Sequence, residues 1–187
     1  MCTTIKMMGY RHSPGEILDA AVKVALESGM ASLTFNRVGE QLEISDRTVV
    51  YYFPTKLDLI NAVADALVSD MVHLLEDAFG SKPLSRQDLM NRAWPVLTTP
   101  AADRVFALYF EIIGLASTGN APYVTLATTL VDGWVDWLSP RMIGSNATIR
   151  RRRALATVGQ IDGLLLVRHV LGAEAGEAAA RETGIRG

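Results

Sequence analysis

The chain has 187 residues, of which 49% are hydrophobic and 20% charged, and its formal net charge is -2. This composition is typical of a globular protein with a sizeable core, and it argues against a protein that coats nucleic acid by charge alone. The single cysteine, Cys2, excludes an internal disulfide and a cysteine-based metal site, which suits a reducing cytoplasm.

No stretch of the sequence approaches the roughly 18 uncharged residues that cross a bilayer. The opening MCTTIKMMGYRHSPGE also lacks the long apolar segment of a secretory signal. We therefore expect a cytoplasmic protein with no membrane association, in which residues 1–12 form a disordered lead-in.

Apolar residues recur at helical spacing from end to end, without the alternation of strands, so the sequence predicts an all-α fold. The motif SPGE, residues 13–16, is a capping box with proline at the first helical position, and it begins the first helix. Thr34 is expected to cap a second, short helix. Glu43 and Ile44 then form a tight connection to Ser45, which is expected to cap a third. Two short helices joined in this way are typical of a helix-turn-helix.

The third helix contains two adjacent tyrosines. Val49 and Phe53 are four residues apart and are predicted to face the core with Ile44, which leaves Tyr51 and Tyr52 facing outward.

A long fourth helix follows almost at once. Pro54 ends the third helix, and Thr55 with Asp58 predicts a cap for a helix that reaches about Gly80. Five further helices follow. Residues 104–116, RVFALYFEIIGLA, are apolar nearly all round, which predicts a helix buried in the middle of a bundle.

The segment LTFNRVGEQLEISDRTVVYYFPTKLDL, residues 33–59, resembles the N-terminal signature of the TetR family of bacterial transcriptional regulators. Two positions depart from the family pattern: Glu43 stands where glycine is usual, and Val50 stands where the first tyrosine of the recognition helix is usual. The resemblance implies a three-helix helix-turn-helix DNA-binding domain over residues 13–54. It also implies a helical bundle for ligand binding and dimerisation over residues 55–187.

The resemblance further implies a set of DNA contacts, because the second helix of such a unit lies in the major groove while flanking groups bind phosphates. The phosphate positions are Thr34, Tyr52 and Lys56, the base-edge positions are Asn36, Arg47 and Tyr51, and Thr48 completes the set. The alternative is that the tyrosines are half-buried packing residues and that Arg47 lies on a solvated face.

An inducer site among the middle helices is also implied by the resemblance. The expected ligand-binding residues are Met71, His73, Trp94, Tyr109, Phe110, Trp134 and Asp162. The alternative for each aromatic residue is ordinary core packing. A carboxylate within an apolar run needs a partner, which is either a ligand or a side chain such as Arg168.

These observations favour a homodimeric, ligand-responsive regulator, a repressor that a small, mostly apolar molecule releases from a palindromic operator. Dimerisation is expected through the last two long helices. No cofactor, metal ion or catalytic group is expected, because the histidines are isolated and no phosphate loop or nucleophile motif occurs. The alternative is a helical small-molecule carrier with a vestigial DNA-binding head.

Overall fold

The computed structural model of the chain describes residues 12–186, so the predicted lead-in lies outside the described residues apart from His12. The described part forms nine α-helices and one short 3₁₀ helix, which confirms the all-α prediction. The helices are α1 (Pro14–Ser28), α2 (Phe35–Leu42), α3 (Asp46–Tyr52), α4 (Lys56–Phe79), α5 (Arg86–Leu97), α6 (Pro100–Ser117), α7 (Ala121–Leu138), α8 (Ala147–Leu171) and α9 (Ala173–Glu182), with the 3₁₀ helix at Ser139–Arg141.

The chain divides into two compact units, one ending at Val63 and the other beginning at Ala64. The division falls inside α4, so that helix supplies residues to both units. The domain limits expected from the sequence place the boundary just before α4, at residues 54 and 55, and they remain a prediction.

Two capping boxes fix the starts of α1 and α4 in the N-terminal unit. Ser13 accepts a hydrogen bond from the Glu16 backbone N–H at 3.2 Å, and Glu16 accepts one from the Ser13 N–H at 2.7 Å, which is the predicted capping box. Thr55 and Asp58 repeat the arrangement before α4, at 3.1 and 2.9 Å. Each cap satisfies backbone donors that a helix start leaves unpaired.

The core of the N-terminal unit is built from one face of each helix. Fully buried side chains on α1, α2, α3 and α4 contribute Ile17, Ala21, Val38, Val49 and Leu59. These positions follow the helical spacing of the sequence, so burial of apolar surface selects this arrangement.

The C-terminal unit has its own core, centred on Trp94, Leu89, Val135, Leu138 and Leu165. The expectation that α6 lies in the middle of the bundle is wrong for this chain. Only Ala102, Leu108 and Ile112 of α6 are buried, because α6 packs mainly on α7 and leaves its other side partly open.

Helix α8 is the longest helix of the described residues and has an exposed apolar face. Leu155, Leu166, Val170 and Leu171 are between 47% and 70% exposed. By length and composition alone α8 is apolar enough to cross a membrane, a property that it shares with helices buried between protein surfaces.

Candidate DNA-binding face and ligand cavity

The turn between α2 and α3 is closed by a tight backbone contact. The Ile44 N–H donates to the Gly39 carbonyl oxygen at 2.9 Å. A Cβ atom at Gly39 would lie 2.8 Å from the Ile44 carbonyl oxygen, so this position requires glycine. Glu43 ends α2 in the left-handed region, with φ 57° and ψ 37°, where a side chain costs about 1 kcal/mol relative to glycine. The turn therefore keeps the helix-turn-helix geometry without the usual glycine.

The start of α3 differs in detail from the prediction. Ser45 occupies the N-cap position, but its hydroxyl makes no capping bond and lies 3.2 Å from the Thr48 hydroxyl instead. Asp46 accepts from the Arg47 backbone N–H at 2.8 Å and so takes up one of the free donors of the first turn.

Helix α3 is anchored by one residue and presents another to solvent. Val49 is fully buried, whereas Tyr51 is 78% exposed. Tyr52 is half-buried, and its ring meets that of Tyr51 edge to face with centroids 5.0 Å apart. Tyr51 faces outward, as expected for a DNA contact, whereas Tyr52 is partly packed, as expected for a half-buried packing residue. Arg47 is exposed beside them.

The remaining predicted DNA contacts lie at helix starts of the same unit. Thr34 caps α2 by accepting from the Arg37 N–H at 3.3 Å, and Asn36 in the first turn donates to Glu40 at 2.7 Å. Lys56, the first residue of α4, reaches the Ala31 carbonyl oxygen at 3.4 Å and is exposed. Hydroxyls, a cation and free backbone donors at helix starts are groups that bind phosphate oxygens.

The C-terminal unit contains a cavity within its helical bundle. It is lined by α4, α5, α6, α7 and α8 through Leu75, Phe79, Leu89, Ala93, Leu97, Phe106, Tyr109, Trp134, Trp137, Leu138, Val158, Ile161 and Asp162. The volume of the cavity is about 50 Å³. That space holds a few waters, so a larger molecule must push the lining side chains apart on entry.

Two side chains give this apolar cavity a polar point. The Tyr109 hydroxyl donates to Asp162 Oδ2 at 2.9 Å. Burial raises the pKa of Asp162, and the hydrogen bond from Tyr109 opposes that rise. Burial, together with the neighbouring carboxylate, raises the pKa of Tyr109, so the phenol keeps its proton.

A third polar group of the lining, the Trp137 indole, lacks a partner. Its Nε1 atom is buried and has no hydrogen-bond acceptor among the described residues. An acceptor atom on a bound molecule would satisfy it, and leaving such a donor unpaired costs about 1–3 kcal/mol.

The cavity gathers three of the expected ligand-binding residues, Tyr109, Trp134 and Asp162. Met71 and Trp94 are buried but lie outside the lining, and the Trp94 indole donates to Glu177 at 3.0 Å.

Two other expected residues point elsewhere. Phe110 is half-buried, with its ring centroid 5.7 Å from that of His169. His73 is exposed, and its Nδ1 lies 2.6 Å from the Ser69 carbonyl oxygen one turn back along α4. The sequence placed His73 in an apolar run, but the face on which it falls is the solvated one.

Sequence reasoning missed most of the apolar lining, including Leu75, Phe79, Val158 and Ile161. Their helical spacing marks them as buried, but it does not distinguish a residue that packs on another from one that borders a void. The partner of Asp162 was also missed. Arg168, which the sequence suggested, instead binds both oxygens of Asp103 at 2.8 Å.

Residues 17–63 match the family model described as bacterial regulatory proteins, tetR family. The match covers the three helices of the N-terminal unit and the start of α4, and this is the part of the chain that forms the helix-turn-helix. The N-terminal unit therefore contains a segment that is similar to the DNA-binding part of TetR-family regulators. The family model describes bacterial regulatory proteins, so the match supports a regulatory, DNA-binding role for the N-terminal unit.

Solved structures share the complete fold. A TetR-family regulator from Rhodococcus sp. has 16% identity and a TM-score of 0.74, over 91% of this chain and 94% of its own. A transcriptional regulator from Rhodococcus sp. Rha1 has 21% identity and a TM-score of 0.69, over 90% and 91%. The multidrug binding protein EbrR, in complex with imidazole, has 21% identity and a TM-score of 0.68, over 98% and 96%. No curated protein sequence matches the chain.

Proposed function

We propose that this protein is a homodimeric, cytoplasmic repressor of the TetR family that leaves a palindromic operator when a small, mostly apolar molecule occupies the cavity of its C-terminal unit. The observation that carries the proposal is the exposed face of α3, where Tyr51 and Arg47 face solvent on a helix held by the buried Val49. A residue as apolar as tyrosine gains little from water, whereas a base or sugar gives its ring a surface to pack against.

The charges of the N-terminal unit favour sequence-specific over nonspecific DNA binding. Arg47 and Lys56 lie near Asp46, Glu43 and Asp58 in the sequence, so the cations are offset by acids and the head gains little from bulk charge. Affinity must then come from placed contacts to phosphates and base edges, and we assign these to Thr34, Asn36, Arg47, Thr48, Tyr51, Tyr52 and Lys56.

The exposed apolar face of α8 supports the dimer. Gly159 and Gly163 lie on this helix with no atom within 4 Å of a Cβ built on either, so a second helix has room to approach closely. A dimer places two recognition helices about one helical turn of DNA apart, which calls for a palindromic site.

The cavity supports the effector. EbrR is a multidrug binding protein solved with imidazole and with proflavin, and by analogy the apolar, aromatic cavity of this chain receives a small molecule. An effector releases DNA only if it binds the DNA-free state more tightly, so release of the operator requires that the cavity opens more readily in that state.

Selection from a random DNA duplex pool at a stated salt concentration tests the function. The wild type should enrich a palindrome, and the double variant Arg47→Ala with Tyr51→Ala should lose it while its helical content stays the same. A carrier protein with a vestigial head would enrich nothing even at low salt, and its affinity for DNA would lack the steep salt dependence that counterion release imposes.

A further inference from the structure

The ligand cavity is lined by an acidic side chain and by no basic one among the described residues. Its lining contains one carboxylate, Asp162, the phenol of Tyr109 and the unpaired indole N–H of Trp137, and no lysine, arginine or histidine of the described residues lines it. An anionic molecule would therefore meet a carboxylate and no cation there, which disfavours organic acids and phosphates.

Asp162 has unused capacity to accept hydrogen bonds. Tyr109 supplies its one hydrogen-bond donor among residues 12–186, and this donor binds Oδ2. A carboxylate accepts several hydrogen bonds over its two oxygens. A partly buried carboxylate with a single neutral donor is stabilised strongly by a cation that also donates hydrogen bonds.

The aromatic residues beside Asp162 favour the same charge. Phe106 and Tyr109 meet edge to face at 6.0 Å, and Trp134 and Trp137 do so at 5.6 Å. The faces of such rings carry negative partial charge and attract cations.

One ring of the lining already holds a cation. The Arg141 guanidinium carbon lies 4.1 Å from the centroid of the Trp137 ring. Arg141 is outside the lining, and its charge is balanced by Glu76 at 2.5 Å. Arg141 therefore already occupies one face of Trp137, and Glu76 offsets the charge that would otherwise repel a second cation.

We propose, resting on the proposed effector role of this cavity, that the effector class is a small aromatic amine cation whose ammonium group binds Asp162 while its ring packs among Phe106, Trp134 and Trp137. Entry of even a single ring requires the lining side chains to move apart, because the space holds only a few waters. Specificity for the cation resides mainly in Asp162, because the aromatic rings attract a cation more weakly than a carboxylate does and also accept apolar molecules of the same shape.

Two probes of nearly equal shape test this assignment, 2-naphthylmethylammonium and the neutral 2-naphthylmethanol. Titration calorimetry on the wild type should show that the ammonium binds at least about tenfold more tightly than the alcohol. In Asp162→Asn this preference should vanish, while the affinity for the alcohol stays within about threefold of the wild-type value.

Matched variants distinguish the role of the Asp162 carboxylate from a nonspecific effect of substitution on the fold. Asp77→Asn makes the same change on an exposed face of α4 and should leave the preference intact. Tyr109→Phe removes the hydroxyl but keeps the carboxylate, so it should preserve or increase the preference for the ammonium.

Three results would overturn the proposal: equal wild-type affinities for the two probes, a preference that survives in Asp162→Asn, or no binding of the ammonium at millimolar concentration. The wild-type comparison decides by itself if Asp162→Asn does not fold. Failure of the proposed repressor function would give a different result from failure of this assignment. The ammonium would still bind through Asp162, but it would not release the protein from a selected operator.

Discussion

Tyr109 on α6 donates its hydroxyl hydrogen to Asp162 on α8 across 2.9 Å, and the bond joins two helices within the wall of the cavity. The two residues are 53 positions apart in the chain. Their pairing gives a partly buried carboxylate its one donor among the described residues, so both the stability of the bundle and the chemistry of the cavity depend on it.

Loss of the Tyr109 hydroxyl should destabilise the protein. Tyr109→Phe keeps the ring but leaves Asp162 without its donor, and we expect the free energy of unfolding to fall by about 1–3 kcal/mol. Urea denaturation followed by circular dichroism measures the change. Tyr51→Phe removes a hydroxyl from a residue that is 78% exposed and should change stability by less than about 0.5 kcal/mol. Equal effects of the two variants would contradict the assigned role of the bond.

The raised pKa of Asp162 predicts a dependence of stability on pH. Because burial raises this pKa above 3.8 in the folded state, the folded protein binds more protons than the unfolded chain in the window above 3.8. The contribution of Asp162 to stability is therefore present at low pH and is lost as the pH rises through the folded pKa.

Asp162→Asn isolates that contribution, since the amide does not titrate. The stability of the variant relative to the wild type should increase as the pH rises from about 4 to 7. Thermal unfolding of both proteins across this range measures the difference. A difference that stays constant with pH would show that the pKa of Asp162 is the same in the folded and unfolded states.

Gly39 should be indispensable to the helix-turn-helix. Gly39→Ala brings a methyl group within 2.8 Å of the Ile44 carbonyl oxygen, which the backbone must move to relieve. We expect a loss of about 1–3 kcal/mol and a large loss of DNA affinity. Gly114→Ala in the open middle of α6 meets no atom within 4 Å and should instead stabilise the protein by about 0.5–1 kcal/mol. Thermal unfolding and DNA titration of both variants check the contrast, and a tolerated Gly39→Ala would contradict the close contact.

The bidentate bridge from Arg168 to Asp103 should contribute more than a surface bridge of the same chemistry. The Arg168 side chain is 11% exposed and also donates to the Thr98 carbonyl oxygen at 2.9 Å. Asp103→Asn should lower the free energy of unfolding by about 1.5 kcal/mol. The loss should be smaller than for a fully buried pair, because Asp103 is 42% exposed. Asp132→Asn, in a bridge to Arg151 whose partners are 57% and 44% exposed, should cost less than about 1 kcal/mol. Chemical denaturation of the two variants measures both losses. A larger loss for Asp132→Asn than for Asp103→Asn would be inconsistent with the burial of Arg168.

Charges on the exposed face of α8 should dissociate the proposed dimer. Leu166→Glu with Val170→Glu places two carboxylates on apolar positions that are 47% and 67% exposed in the single chain. Burying them against a second copy should weaken association about a hundredfold or more, which light scattering after gel filtration would show as a monomer. Leu74→Glu on α4, at a site 53% exposed, is the control and should leave the mass of the particle unchanged.

The helices and the helix-turn-helix follow from the sequence alone, because the interactions that fix them are local. The cap of Ser13 with Glu16 and that of Thr55 with Asp58 each lie within one helical turn, so the spacing of the residues specifies the bond. The resemblance over residues 33–59 named the TetR family for the same reason, since the turn at Gly39 and the exposed Tyr51 depend on neighbours in the same short segment.

The cavity, in contrast, depends on how the helices pack against one another. His73 and Trp94 both lie in runs that suggest a ligand site, but packing of the bundle turns His73 to solvent and directs the Trp94 indole to Glu177. The partnership of Asp162 with Tyr109 rather than with Arg168 depends on which helices pack side by side. Helical periodicity assigns a residue to the inner face of its own helix, whereas the identity of its neighbours and the location of a void depend on how several helices pack together.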